Sequence, residues 1–352
     1  MAKNHSNPAG RIALFSLCIF LGNNIALHAQ ASLLDSLEFE YLVVDVFPDF
    51  NPTSPNELVG VQVRLADHGN GVYEDEFRFT SGARIALPPG EIKYIDDSTL
   101  YLEYLIDAQD WRFRMRLTKY SLVTGVPVPE AHYDLGVEEL VTKTLGWPEP
   151  IFVVEDGFSE GGVCPVAVEL VNSALKPITK FTHFLHDTCS ILTNACWDGS
   201  RIIVLGQNGW DMRRFKAHVF EDSDFRSSTT ITANIPGMED DAYGLFYLDE
   251  HLLVSGFQRS DRSFYLYCFD KNGKLEWKID PGKTLTDLYL LPNGKAVAYD
   301  QKNYTYTVDM RTGKIQPESQ VPQFPGYHKF GKNSLITFWQ NKVNVYRLFG
   351  RE

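Results

Sequence analysis

The chain has 352 residues, of which 44% are hydrophobic, 13% aromatic and 22% charged. This is the composition of a globular protein, and it excludes a mostly disordered chain, a coiled coil and a collagen. The formal net charge of -12 argues against nucleic acid as a partner, because binding to phosphate groups needs a basic surface.

The first 31 residues have the pattern of a secretory signal peptide. Lys3 and Arg11 precede an apolar run over 12–22, and the small-residue pattern Ala29-Gln30-Ala31 follows. A charged start, a short apolar stretch and small residues at the cut define such a leader. The run is too short to be retained as a membrane-spanning helix. We therefore expect cleavage after Ala31, a secreted or periplasmic location, and a mature protein over 32–352 that does not span a membrane.

A strand-and-turn pattern recurs seven times along the rest of the chain. Each copy has a strand of alternating bulky residues, then a polar residue, then a turn three or four residues later. The polar positions are Thr80, Ser121, Asn172, Glu221, Asp270, Asp309 and Arg347, at separations of 38 to 51 residues. This spacing is close to the length of a four-stranded propeller blade.

A second series of turns alternates with the first. Asp198-Gly199 and Asn293-Gly294 are hairpin signals because such turns need positive φ. Two hairpins per repeat make one four-stranded antiparallel blade, and blades must pack around a ring to bury both of their faces. The sequence therefore predicts an all-β, WD40-like, seven-bladed β-propeller forming a single domain, with six blades as the alternative. The segment 137–145 is the best helix candidate, although it fits an inner strand equally well.

Closure of the ring has a sequence signal of its own. The last copy, 341–349, supplies only the third strand of its blade before the chain ends. An open ring would expose two sheet edges. We therefore expect the fourth strand of this blade to come from about Ser32 to Ser36.

Two of the repeats carry a family resemblance. The stretch from Asp270 through Gly273 to Trp277 (DKNGKLEW) resembles the quinoprotein-type, or PQQ-like, β-propeller repeat, and Asp309 to Gly313 (DMRTG) resembles it more weakly. The resemblance implies that the Asp opens the turn, that the Gly supplies positive φ, and that the Trp packs against the next blade. Quinone-dependent members are similar to one another in carrying adjacent paired cysteines, which this chain lacks. We therefore expect no cofactor, and the non-enzymatic branch of scaffold and assembly factors is the better match.

Four cysteines follow the leader: Cys164, Cys189, Cys196 and Cys268. An even number in an exported chain permits two disulfides. If 189–196 form one strand, the first and last of its residues are roughly 23 Å apart at ~3.3 Å per residue, too far to bond to each other. Buried free thiols are the alternative.

Catalytic motifs are absent from the sequence. It contains no phosphate-binding loop with Lys-Ser/Thr, no His-Glu-x-x-His and no Gly-x-Ser-x-Gly. His183 and His186 are three residues apart, but a metal site would need a third ligand from elsewhere. We therefore expect a polar loop between blades at these histidines and no metal.

One end of the ring is the predicted binding surface. In a propeller, the loops between blades and the loops joining the middle two strands of each blade emerge together, and we call this end the loop face. The candidate ligand-binding residues that we place there are Trp111, His183, His186, Trp210, Arg213, Asp241, Arg259 and Tyr327. Aromatic and arginine side chains are typical of recognition hot spots.

These observations favour a monomeric binding or scaffold module for a protein or carbohydrate partner over an enzyme. The alternative is a glycan-active hydrolase or lyase with its site in the axial pocket. Such an enzyme would need a carboxylate or histidine with a shifted pKa facing that pocket.

Overall fold

The structure is a computed structural model that describes residues 31, 33–51, 53–69, 73–109, 112–145, 149–156, 166–183, 190–197, 201–208, 214–220, 228–235, 242–248, 250–258, 263–280, 285–290, 296–300, 302–322 and 326–348. The predicted leader lies outside the described residues, apart from Ala31. Within these ranges no helix has the length and apolar character needed to span a membrane.

The described residues form twenty-eight strands. In chain order they are β1 (Leu33–Glu38), β2 (Leu42–Pro48), β3 (Leu58–Asp67), β4 (Tyr73–Phe79), β5 (Arg84–Ala86), β6 (Glu91–Ile95), β7 (Thr99–Gln109), β8 (Arg112–Ser121), β9 (Val128–Val137), β10 (Glu139–Leu145), β11 (Ile151–Asp156), β12 (Val166–Val171), β13 (Pro177–His183), β14 (Ser190–Trp197), β15 (Ile202–Asn208), β16 (Arg214–Phe220), β17 (Ser228–Asn234), β18 (Ala242–Leu248), β19 (His251–Gln258), β20 (Ser263–Phe269), β21 (Leu275–Ile279), β22 (Leu285–Leu290), β23 (Ala296–Asp300), β24 (Tyr304–Val308), β25 (Ile315–Gln320), β26 (Tyr327–Phe330), β27 (Ser334–Trp339) and β28 (Lys342–Arg347).

These strands form seven four-stranded antiparallel sheets. The first six blades are consecutive sets of four strands, from β2–β5 to β22–β25, and the seventh has the order β26, β27, β28, β1. Within each blade the first of the four is the inner strand, at the axis of the ring. The predicted seven-bladed β-propeller is thus confirmed, and six blades are excluded.

The ring closes through β1. This strand runs antiparallel to β28, with a register from Leu33 opposite Tyr346 to Glu38 opposite Lys342. The closing strand predicted at about Ser32 to Ser36 is therefore confirmed, and it extends two residues further.

The core lies between neighbouring blades because alternate side chains of each strand point to opposite faces of its sheet. Phe77 of the first blade packs with Leu100 and Leu102 of the second, and Tyr101 on the other face of the second blade packs with Phe152 of the third. Each of these side chains is almost entirely buried. Full burial of one such side chain stabilises the fold by about 1.5–3 kcal/mol.

The repeat motif forms the turn and the contact with the next blade that the family resemblance implies. The Oδ1 atom of Asp270 accepts the backbone N–H groups of Asn272 and Lys274 at 2.9 Å, and Gly273 has a φ of 77°. The N–H of Lys274, joined by that of Asn272, lowers the pKa of the Asp270 carboxyl. On the next strand, Trp277 donates its Nε1–H to the carbonyl of Met310 in the following blade, at 2.9 Å.

The helix candidate 137–145 is a strand. Strand β9 ends at Val137, Glu138 turns the chain with a φ of 62°, and β10 forms the inner strand of the third blade. The N–H of Glu138 donates to the carbonyl of Phe113 at 2.8 Å, which holds this turn against β8.

The inner strands share a β-bulge. In six of the seven blades, the inner strand has one extra residue relative to its neighbour; the extra residues are Val44, Lys93, Thr142, Thr193, Tyr243 and Thr286. Over its described residues, Tyr327 to Phe330, the ladder between β26 and β27 has no shift. A bulge increases the local twist of a strand, and these six inner strands share that feature near the axis.

Cys268 is a buried free thiol. Its Sγ lies 3.6 Å from the carbonyl oxygen of Met310, and burial raises the pKa of the thiol to about 12. For this cysteine the free-thiol alternative is therefore confirmed, while Cys164 and Cys189 lie outside the described residues.

Candidate binding face

Three exposed apolar side chains lie on the loop face, on the two sides of the seam where the seventh blade meets the first. They are Leu42 at the start of β2, Tyr327 at the start of β26 and Trp339 at the end of β27, with exposed fractions of 49%, 65% and 43%. The rings of Tyr327 and Trp339 are 6.3 Å apart between centroids and tilted by 39°. Beneath them, the ring of Phe338 lies 5.6 Å from that of Tyr327. We call Leu42, Tyr327 and Trp339 the seam patch.

Backbone hydrogen bonds across the seam fix the position of this patch. The N–H of Val43 donates to the carbonyl of Gln340 at 2.6 Å, and the N–H of Phe39 donates to that of Asn341 at 2.8 Å. The side-chain amide of Asn341 donates to the carbonyl of Phe39 at 3.0 Å. Gln340 has a φ of 53°, which allows the tight turn after Trp339. The segment before β2 and the β27–β28 turn are therefore held as one unit.

A glycine allows Tyr327 to approach Trp339. A β-carbon at Gly326 would collide with the carbonyl oxygen of Phe338 and come within 2.7 Å of the Trp339 side chain. Only glycine therefore fits directly before Tyr327 without moving β27.

An ion pair lies further along the same two inner strands. Lys329 Nζ of β26 contacts the Asp45 carboxylate of β2 at 2.7 Å, and it also lies 5.0 Å from the centre of the Phe47 ring. This pair joins the seventh blade to the first near the axis.

The outer part of the loop face carries two aspartate–arginine pairs. Asp75 accepts bonds from Arg64 Nε at 3.0 Å and from Gln62 Nε2 at 2.7 Å, and the Arg64 guanidinium lies 3.5 Å above the Tyr73 ring. In the second blade, a hydrogen bond from Arg116 lowers the pKa of the Asp134 carboxyl. Both guanidinium groups are therefore held in place by a carboxylate of their own blade.

Several carboxylates of the described inner strands are paired with lysines. On the inner strands Asp45 pairs with Lys329, Glu91 with Lys93 at 2.9 Å, and Glu139 with Lys180 at 2.9 Å. Among the described residues no group of three His, Cys, Asp or Glu side chains is placed to hold a metal ion.

Most of the residues predicted for ligand binding lie outside the described ranges: Trp111, His186, Trp210, Arg213, Asp241 and Arg259. His183 ends β13, where its backbone pairs with Val166. Tyr327 lies exposed on the loop face, where the sequence placed it. The sequence pattern does not single out Trp339 and Leu42 as candidates for this surface. The available signal was an aromatic residue directly before the Gln340-Asn341 turn.

Similar proteins are found by fold alone. No protein-family model matches the chain, and no curated protein matches it. A structure of the Dos1 propeller aligns with a TM-score of 0.53 at 12% identity, covering 91% of this chain and 97% of the other. An oligogalacturonate lyase in complex with manganese aligns with a TM-score of 0.51 at 10% identity, covering 91% and 98%. BamB from Moraxella catarrhalis aligns with a TM-score of 0.45 at 12% identity, covering 92% and 99%.

The class of protein is therefore a seven-bladed β-propeller. The similar structures support this fold and nothing narrower. The narrower resemblance to the PQQ-like repeat stays a prediction, because no family model supports it.

Proposed function

We propose that this protein is an exported binding module that recognises a protein or carbohydrate partner through its loop face. The observation that carries the proposal is the seam patch. Scattered single apolar residues are normal on a protein surface, whereas contiguous ones mark interaction sites. Tyr327 and Trp339 form the contiguous part of the patch, and Leu42 lies across the seam beside Val43, whose N–H donates to Gln340.

The chemistry of the patch suits a partner with an apolar face and polar edges. Tyr and Trp give a large, rigid contact area with little loss of side-chain entropy on binding. Their ring faces are electron-rich, so they attract the C–H groups of a sugar ring or of an apolar side chain. Asn341 and Lys342, on the turn beside Trp339, supply polar groups at the edge.

Export is the second part of the proposal. It is supported by the leader pattern over 1–31 and by the position of β1, which begins soon after the predicted cleavage site and closes the ring. A secreted or periplasmic location follows from the same leader.

The test is a comparison of alanine variants on the two ends of the ring. Tyr327→Ala and Trp339→Ala remove the aromatic anchors, and each should weaken binding by about 2 kcal/mol, which is roughly 30-fold. Matched controls are Val123→Ala and Val126→Ala, which change exposed apolar residues on the β8–β9 turn at the opposite end. Thermal unfolding of each variant checks that the fold is intact.

Two probes identify the class of partner. An array of defined oligosaccharides tests carbohydrate binding, and cross-linking to the exported proteins of the source cell tests protein binding. Equal losses in the two pairs of variants, or losses only in the valine pair, would place the site away from the seam patch.

A further inference from the structure

Ala31, the last residue of the predicted leader, is part of the folded propeller. Its backbone N–H donates to the carbonyl of Gln320 at 2.8 Å. Its side chain is only 7% exposed. A residue that is removed with a leader would have neither a hydrogen-bond partner in the domain nor a place in its core.

The contacts of Ala31 join two blades. Gln320 ends β25, the outer strand of the sixth blade, whereas β1 is the outer strand of the seventh. The methyl group of Ala31 belongs to a buried apolar cluster that includes Val321, Leu335 and Leu348. Ala31 therefore connects the closing strand to the sixth blade. The ladder between β1 and β28 makes no such connection, because both strands belong to the seventh blade.

Cleavage after Ala31 would break this connection. It would remove the N–H that reaches Gln320 and leave the core position empty. It would also put a charged α-amine one residue before β1, close to an apolar cluster, and a charge is costly to move out of water.

On the export proposed above, we infer that the leader is removed at the bond between Ala29 and Gln30, so that the mature chain begins Gln30-Ala31. Ala29 is the nearest small residue before Ala31 and supplies the small residue directly before the cut, while Leu27 takes the other position of the small-x-small pattern. The step is the hydrolysis of one peptide bond by one water molecule in the signal peptidase of the host. Ala31 then serves the fold and not the cleavage site.

The first test is the amino terminus of the protein purified from an exporting host, read by intact mass and by the mass of its first tryptic peptide. We expect a chain that begins at Gln30. An amino-terminal glutamine can cyclise when its α-amine attacks the side-chain amide and ammonia leaves, so the mass lower by one ammonia supports the same boundary. A chain that begins at Ser32, or at any other residue within the leader, overturns the boundary but leaves export intact. A chain that keeps the whole leader overturns export itself.

The second test measures the contribution of Ala31 to stability. Chains 30–352 and 32–352, released from a cleavable fusion so that each begins at its stated residue, differ only in Gln30 and Ala31. We expect the midpoint of thermal unfolding to be about 2–3 °C lower for the shorter chain. A third chain, 31–352, keeps the Ala31 methyl group but turns its amide N–H into a charged α-amine beside the apolar cluster, so its midpoint should lie between the other two. Equal midpoints for all three would overturn the role of Ala31.

Discussion

Lys332 offers a direct measurement of how the seam between the seventh and first blades is held. It lies in the turn between β26 and β27, where it is buried. Its Nζ donates to the carbonyls of Asn51, Ser54 and Asn56, at 3.1, 2.7 and 2.6 Å, in the segment that joins β2 to β3. Lys332→Met keeps an apolar stem of similar length and removes all three donors.

The expected loss of stability follows from two opposing effects. A hydrogen bond to a charged group contributes about 1.5–3 kcal/mol net, so three such bonds set an upper bound of roughly 5–9 kcal/mol. Methionine also avoids the desolvation of a buried ammonium group, which costs several kcal/mol. The segment 51–56 includes exposed residues, so water can reach its carbonyls. We expect Lys332→Met to lower the free energy of unfolding by about 3 kcal/mol.

The assay is urea unfolding at pH 7, followed by tryptophan fluorescence, together with the midpoint of thermal unfolding. For a chain of this size, about 3 kcal/mol corresponds to a decrease of roughly 4–5 °C. Lys342→Met is the matched control, because the Lys342 side chain is 59% exposed and its ion pair among the described residues is a long one, with Glu38 at 3.8 Å. Exposed pairs of this kind contribute about 0–1 kcal/mol. If the two variants lose equal stability, the three carbonyl bonds do not hold the seam.

Three further predictions follow from the ring and its repeats. Deleting residues 31–38 removes the closing strand, so thermal unfolding should occur at a markedly lower temperature than in the intact domain; an unchanged midpoint would mean that the ring closes in another way. Gly313→Ala should lower the free energy of unfolding, measured by chemical denaturation, more than Gly125→Ala does. Both glycines have positive φ, but only at Gly313 would a β-carbon contact the Trp277 ring, at 2.9 Å. Equal losses of stability in the two variants would contradict the contact between Gly313 and Trp277. Cys268, whose pKa is raised to about 12, should be almost entirely protonated at pH 8.5. It should therefore react with iodoacetamide only after unfolding in urea, as checked by the mass of the peptide that contains it. Rapid alkylation of Cys268 in the native protein would show that the thiol is accessible.

The blades could be predicted from the sequence because their signals are local. Asp270 and Gly273 form a turn whose hydrogen bonds join residues at most four positions apart. Such a turn reads the same in the sequence as in the structure. The closing strand was also predictable. The last repeat lacks a fourth strand, and the amino-terminal part of the chain is left to supply it and so cover the open sheet edge.

The seam patch could not be predicted in the same way. Trp339 ends the run Ser-Leu-Ile-Thr-Phe-Trp, which reads as the interior of a strand. Its exposure depends on where β27 ends, and the bond from Val43 to Gln340 joins two distant parts of the chain. Lys332 shows the same limit, since the carbonyls it binds lie 276 to 281 residues away. The segment 137–145 fits both a helical and an alternating pattern, and its pairing with β11 decides for a strand.

The closing strand of the seventh blade has a consequence for stoichiometry. A ring of seven equal blades would offer a ligand seven equivalent positions around the axis. Here the seventh blade differs from the other six, because the strand that completes it comes from the other end of the chain. The pseudo-symmetry is broken in one sector, and that sector carries Tyr327 and Trp339. A partner that recognises these two rings therefore meets one site per ring, and a titration should saturate at one partner molecule per propeller.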